Sequence, residues 1–207
     1  MRHFPVPADL DHIGPDRRLA AVDLQTFGLE RIPDLGAFEA GTAPEPIVIP
    51  GKTIIGRGGA DVLAGTVGDD TMKGKGGNDR IDGAAGNDKL RGGNGNDRLL
   101  GGDGDDVLKG GKGKDKLAGD LGDDVLAGGK HKDTFVFKGD FGEDRITDFK
   151  PGTDRIVFSK DEFADFAAVK DAMAACADGV MIDSGHGGVL VEDVKISDFG
   201  GKDFLFI

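Results

Sequence analysis

The chain has 207 residues and a formal net charge of −12, enough length for one elongated domain or two small ones. A sequence isoelectric point of about 4.7 argues against nucleic acid as a main partner and favours hard cations, which take oxygen ligands. A single cysteine, Cys176, excludes a disulfide framework within the chain, and no apolar run reaches the roughly 18 residues of a membrane span.

Seven of the eight prolines fall in residues 1–50. Proline fixes φ and withholds a donor, so this segment is expected to be a loosely ordered tail or linker. A short helix within "PDRRLAAVDLQTFGLERI" and a docking-peptide role are its two alternatives to plain spacer. The opening "MRHFPVPADLDHIGPDRR" lacks the apolar core of a cleaved signal peptide.

From Gly56 the chain is one nonapeptide written nine times, the repeats starting at Gly56, Gly65, Gly74, Gly83, Gly92, Gly101, Gly110, Gly119 and Gly128. Position six is always aspartate: Asp61, Asp70, Asp79, Asp88, Asp97, Asp106, Asp115, Asp124 and Asp133. Position eight is always large and apolar, from Leu63 and Met72 to Leu126 and Phe135. A flexible spacer does not hold three phases over nine repeats, so residues 51–136 are expected to form a regular stack.

Glycine-rich positions one to six suit a tight turn at φ values closed to most side chains. Positions seven to nine suit a very short strand whose middle residue points inward. Two nonapeptides then make one 18-residue coil, and stacked coils give a parallel β-roll of two sheets. Stacking places aspartates 18 residues apart over a shared gap: Asp61 over Asp79 and onward along one edge, Asp70 over Asp88 along the other. Carbonyl oxygens of turn glycines such as Gly65, Gly74, Gly83, Gly92, Gly101, Gly110 and Gly119 would complete oxygen cages for Ca2+. The expected load is six to seven ions. At about 1 mM calcium and an affinity near 0.1 mM, each site stabilises by about 1.4 kcal/mol. Seven together approach the whole stability of a domain, so the array is expected to fold only with metal.

The two edges differ in charge. At positions two, three and five the odd repeats carry Arg57, Lys75, Lys112, Lys114, Lys130 and Lys132, and the even repeats carry Asp69, Asp103, Asp105, Asp120 and Asp123. The gap between Asp115 and Asp133, crowded by four lysines and His131, is expected to be weak. Basic residues at outward strand positions, Lys73, Lys89, Arg91 and Lys109 on one sheet and Arg80, Arg98 and Lys116 on the other, are either a solvated face or a contact for anionic polysaccharide.

Residues 137–207 are expected to form a small mixed β/α cap. "RIVF" (155–158), "VMID" (180–183) and "VLVE" (189–192) read as strands. "KDEFADFAAVKDAMAACAD" reads as a helix, with Cys176 as a small buried core residue.

The pattern Gly-Gly-x-Gly-x-Asp-x-U-x is similar to the calcium-binding repeat of the RTX (repeats-in-toxin) proteins. Residues 56–207 resemble the C-terminal region of serralysin-type proteases, through the repeats, the exit segment "DTFVFKGDFGEDRITDFKPGTDRIVFS" and the terminal "DFLFI". The resemblance implies a calcium-loaded parallel β-roll, export from a Gram-negative bacterium through a type I ABC transporter, and an uncleaved C-terminal secretion signal on Asp203, Phe204, Leu205, Phe206 and Ile207. "DFLFI" is equally readable as a last core strand. The family's protease domain has no counterpart: His3, His12, His131 and His186 make no HExxH pair, there is no GxSxG elbow, and "DSGHGG" around Ser184 reads as a turn.

The expected function is therefore a non-enzymatic, secreted calcium-binding protein acting at the cell surface or in the matrix. The competing reading is an accessory or truncated C-terminal module of a secreted hydrolase. A pore-forming toxin is disfavoured, because no long apolar or amphipathic insertion segment exists.

Overall fold

The computed structural model describes residues 50–207; the expectations for residues 1–49, the short helix and the docking peptide among them, lie outside the described residues. Two three-residue strands come first, β1 (Thr53–Ile55) and β2 (Val62–Ala64). The repeats then give strands twice the expected length. β3 (Thr71–Gly76), β4 (Arg80–Ala85), β5 (Lys89–Asn94), β6 (Arg98–Asp103), β7 (Val107–Lys112), β8 (Lys116–Leu121) and β9 (Val125–Lys130) have six residues each. Each begins behind an aspartate, runs through positions seven to nine and continues into positions one to three of the next repeat. The left-handed turn is narrower than glycine content implies. It sits at position four, as at Gly95 (φ 127°), with a second left-handed residue at position two, as at Gly93 (φ 122°).

Odd and even strands separate into two parallel sheets. One has the order β1-β3-β5-β7-β9 and the other β8-β6-β4-β2 over the repeats. Identical phases stack in register: Met72, Leu90, Leu108 and Leu126 along one sheet, Ile81, Leu99, Leu117 and Phe135 along the other. All eight are buried, forming the thin core between the sheets. Full burial of such side chains stabilises by roughly 1.5–3 kcal/mol each. Leu63, in the first repeat, is half-buried and packs against this core.

The stack continues beyond residue 136. β10 (Thr134–Phe137) and β12 (Arg155–Phe158) extend the second sheet, while β11 (Gly142–Ile146) and β15 (Gly187–Glu192) extend the first, all in parallel. The end is plugged by aromatics: Phe158 lies 4.9 Å from Phe163 and 5.7 Å from Phe137, ring centre to ring centre. β14 (Gly179–Asp183) and β13 (Met173–Ala175) then add on antiparallel, and β16 (Phe204–Phe206) pairs parallel with β12. The fold is the expected mainly β parallel roll with a small mixed cap.

Two local expectations fail. The helix read over 160–178 shrinks to α1 (Phe166–Asp171), whose N-terminal amides at Ala167 and Ala168 are capped by Asp165. Met173, assigned to the helix by its spacing, instead faces Ile182 across a hairpin, because the sheet edge at β14 offers ladder bonds that a short exposed helix lacks. Cys176 consequently sits in that hairpin's turn, its amide donating to the Gly179 carbonyl at 3.0 Å, and is exposed rather than buried.

Candidate metal centres along the two edges

Each turn ends on its position-six aspartate just before a strand starts, so the carboxylates stack at the two edges of the roll. One oxygen of each is committed. The amide of Asp79 donates to Asp97 Oδ1 at 2.8 Å, Asp97 to Asp115 at 2.8 Å and Asp115 to Asp133 at 3.0 Å. On the other edge Asp70 donates to Asp88 at 2.6 Å, Asp88 to Asp106 at 2.7 Å and Asp106 to Asp124 at 2.8 Å. A second ladder at position five runs the opposite way, for example from the Asn96 amide to Asn78 Oδ1 at 2.8 Å. Consecutive coils are thus clamped in both directions.

The second carboxylate oxygen is the chemically informative one. Oδ2 of Asp79, Asp88, Asp97, Asp106, Asp115, Asp124, Asp133 and Asp144 is buried and has no hydrogen-bond partner among the described residues. A buried, unpaired carboxylate oxygen is strongly unfavourable unless a cation meets it. Position-one glycines show what lies opposite. A Cβ on Gly110 would lie 2.5 Å from Asp115 Oδ2 and 2.7 Å from the Gly128 carbonyl. On Gly74 it would meet Asp79 Oδ2 and the Gly92 carbonyl, on Gly83 Asp88 Oδ2 and the Gly101 carbonyl, on Gly101 Asp106 Oδ2 and the Gly119 carbonyl, and on Gly65 Asp70 Oδ2 and the Gly83 carbonyl. Carboxylate and carbonyl oxygens converge on one spot per gap, kept open because the residue there has no side chain. No group of three or more His, Cys, Asp or Glu side chains gathers among the described residues; any ligand set here has to include main-chain oxygen, as hard cations accept.

The ends behave differently from the middle. Asp61 Oδ2 accepts the Arg57 amide at 2.5 Å, Asp70 Oδ2 the Thr66 amide at 2.5 Å, and Asp154 Oδ2 the Lys150 amide at 2.9 Å. These three are satisfied from within their own turns. Asp144 and Asp154 escape the nonapeptide count, yet they receive the amides of Asp124 and Asp133 at 2.9 Å each and continue both ladders. The signal was present: "GDFGEDRIT" (139–147) and "FKPGTDRIV" (149–157) keep Gly at four, Asp at six and Ile at eight. Two extra residues before the first and one before the second break the period.

Burial, reinforced by neighbouring carboxylates, pushes the acids upward: Asp88 and Asp133 to about 6, Asp106 and Asp115 to about 7. Asp144, buried beside Asp124 and Asp123, rises to about 9. At Asp70 burial pulls upward too, but the amides of Lys52 and Thr66 outweigh it and its carboxyl falls below the ordinary value. Around the Asp115–Asp133 gap Lys112, Lys114, Lys130 and His131 are exposed and Lys132 is half-buried, and that gap keeps the same open oxygens as its neighbours. The cation that does reach an edge is Lys150, whose ammonium donates to the Gly129 carbonyl.

The family model of the RTX calcium-binding nonapeptide repeat (4 copies) matches residues 55–90, 91–126 and 110–146. These turns are RTX calcium-binding repeats. The RTX match ends at Ile146, so it takes in Asp144 as well. No curated protein matches the chain. Solved structures that align with it include extracellular lipase LipA from Serratia marcescens, 21% identical over 76% of this chain and 40% of the lipase, with a TM-score of 0.39, and the AlgE6R3 subunit of the Azotobacter vinelandii mannuronan C5-epimerase, 24% identical over 81% of this chain and 86% of that one, with a TM-score of 0.28. The chain spans less than half the length of the lipase it aligns with.

The predicted export residues lie at the far end of the roll. Asp203 is buried and accepts the amides of Gly152 at 2.7 Å and Gly200 at 2.8 Å. Phe204 is buried, Phe206 half-buried, and Leu205 and Ile207 are exposed. No helix among the described residues is long and apolar enough to cross a membrane.

Proposed function

We propose that this protein is exported unfolded, folds outside a Gram-negative cell by taking up calcium, and then acts at the cell surface or in the surrounding matrix. The observation that carries the reading is the double row of buried Oδ2 atoms without partners. Six gaps are bounded on both sides by such atoms: Asp79–Asp97, Asp97–Asp115 and Asp115–Asp133 on one edge, and Asp88–Asp106, Asp106–Asp124 and Asp124–Asp144 on the other. Bound calcium supplies the divalent charge that lets adjacent buried carboxylates stay ionised. The chain supplies the rest: Asp Oδ2, the carbonyls of position-one glycines, and the amide ladder on Oδ1 that aims each carboxylate.

Export through a type I channel agrees with this chemistry. Cytosolic calcium is too low to fill sites of the 10⁻⁴–10⁻³ M class seen in extracellular modules. Asp203, Phe204 and Phe206 are packed once the roll is complete, so a transporter would read "DFLFI" before folding, not after. We also read the chain as non-enzymatic. Ser184 is engaged in a turn, its Oγ donating to the Gly187 carbonyl at 3.1 Å and accepting the His186 amide at 3.2 Å, while the His186 ring lies 3.2 Å from Glu162.

Far-ultraviolet circular dichroism during a calcium titration, with magnesium as control, tests the folding switch. A cooperative gain of β signal between about 0.1 and 1 mM calcium, absent with magnesium, is expected. A fully folded chain in excess chelator at neutral pH would overturn it.

A further inference from the structure

The outer face of the first sheet gathers cations that no acid answers. β3 carries Lys73 and Lys75, β5 Arg91, β7 Lys109 and Lys112, and β9 Lys130, all exposed. Parallel register sets Lys73 beside Arg91 beside Lys109, and Lys112 beside Lys130. Adjacent strands are about 4.8 Å apart, so these are like charges in direct contact range, an arrangement that costs stability unless an anion lies across it. None of the six has a carboxylate within ion-pair distance among the described residues.

They also enclose a space. On β5, β7 and β9 a basic or amide side chain precedes or follows the glycines of positions one and two, and on β3 Lys73 and Lys75 flank Gly74. The result is a groove of about 520 Å³ walled by Lys73, Lys75, Arg91, Asn94, Lys112 and Lys130, with Gly92, Gly93 and Gly111 between them. The repeat pattern alone does not produce it. Equivalent positions on the second sheet carry Asp82, Leu100, Asp103, Ala118 and Asp120.

We propose that this groove binds an acidic polysaccharide, an extended polymer with one carboxylate per sugar. The inference rests on the calcium-folded roll, because only stacked coils bring these strands into register. A regularly charged, extended chain matches cations that recur strand after strand, and a side-chain-free floor admits flat sugar rings beside Asn94. Single-stranded nucleic acid is the poorer fit. Its sequence-tolerant binders stack bases on aromatic side chains, whereas this chain has no Trp or Tyr and, among the described residues, no Phe appears with the exposed large hydrophobic side chains.

The test uses the full chain in millimolar calcium, first shown by circular dichroism to be folded, and isothermal titration with an oligouronate of defined length. Saturable, salt-sensitive binding is expected, with no heat from a neutral oligoglucan. Replacing Lys73, Arg91 and Lys112 by alanine should weaken binding about tenfold or more. Replacing Arg80, Arg98 and Lys116 on the other sheet should leave it unchanged. Absence of binding by a folded protein, equal loss in both triple variants, or tighter binding of a single-stranded oligonucleotide of the same charge would each overturn the assignment. Failure to fold in calcium would instead strike at the calcium reading itself.

Discussion

The amide of Asp124 donates to Asp144 Oδ1 at 2.9 Å across 20 residues, where the preceding step on that edge, Asp106 to Asp124, spans 18 at 2.8 Å. The ladder therefore survives an insertion of two residues, Phe137 and Lys138, which are accommodated before β11 rejoins the sheet. Asp144 ends this edge with Oδ2 unpaired, whereas Asp154 ends the other with Oδ2 on the Lys150 amide. The two edges terminate by different chemistry.

Asp144→Asn follows from that difference. The amide oxygen still accepts from Asp124, but the charge is gone from the most strongly raised acid of the row. Bound calcium, counted by equilibrium dialysis, should fall by one ion, and the chelated protein should be easier to fold than the parent. An unchanged count would remove Asp124–Asp144 from the sites.

A second expectation concerns pH without metal. Burial raises Asp88, Asp106, Asp115, Asp124, Asp133 and Asp144 above their unfolded value, so the folded roll holds more protons than the unfolded chain. Stability in chelator should therefore increase as pH falls from about 9 towards 4, most steeply around pH 5, between the unfolded carboxylate value and the raised folded ones. Protons and calcium compete for the same oxygens, so the calcium-induced rise in melting temperature should shrink over that range. Thermal melts near pH 8 and pH 5, with calcium and with chelator, test both trends. A metal-free protein that loses structure on mild acidification would contradict the raised carboxyls.

How far the sequence reaches is visible in these residues. A fixed phase reveals Asp70 through Asp133, the inward Leu90, Leu99 and Leu108, and two parallel sheets, because in a solenoid a repeat in sequence is a repeat in space. Once insertions break the count, Asp144 and Asp154 disappear from view although their local Gly-x-Asp-x-Ile signature persists. Beyond the repeats, tertiary competition decides. Met173 has helical spacing, yet the open edge of β14 takes it, and Cys176 goes with it to an exposed turn. Nor does spacing reveal that position-one glycines are needed for the carboxylate facing them, more than for the turn.

That last relationship is open to direct trial. A Cβ at Gly101 would lie 2.5 Å from the Gly119 carbonyl and run into Asp106 Oδ2, whereas one at Gly58 meets nothing within 4 Å. Gly101→Ala should cost about 1–3 kcal/mol through forced overpacking and move the calcium midpoint upward. Gly58→Ala should titrate like the parent. Equal behaviour of the two variants in the circular dichroism titration would mean that the converging oxygens are not where folding and metal meet.

Lys150 offers the opposite experiment to Asp144. Its ammonium donates to the Gly129 carbonyl and draws the Asp133 carboxyl down against the upward pull of burial, Asp154 and Asp148. At the last gap of this edge it thus supplies positive charge that the interior gaps lack. Lys150→Met keeps the apolar stem and the main-chain amide on Asp154, and removes the charge with its hydrogen bond to Gly129. In chelator the variant should be harder to fold than the parent, because Asp133 then faces Asp148 and Asp154 without compensation. In calcium it should bind one ion more, at the gap between Asp133 and Asp154 where the ammonium's positive charge is gone. A parallel calcium count on the two variants therefore has a definite pattern, one ion fewer for Asp144→Asn and one more for Lys150→Met. If Lys150→Met leaves both the count and the ease of folding in chelator where they were, the side chain is an ordinary surface lysine and the edge closes through its backbone alone.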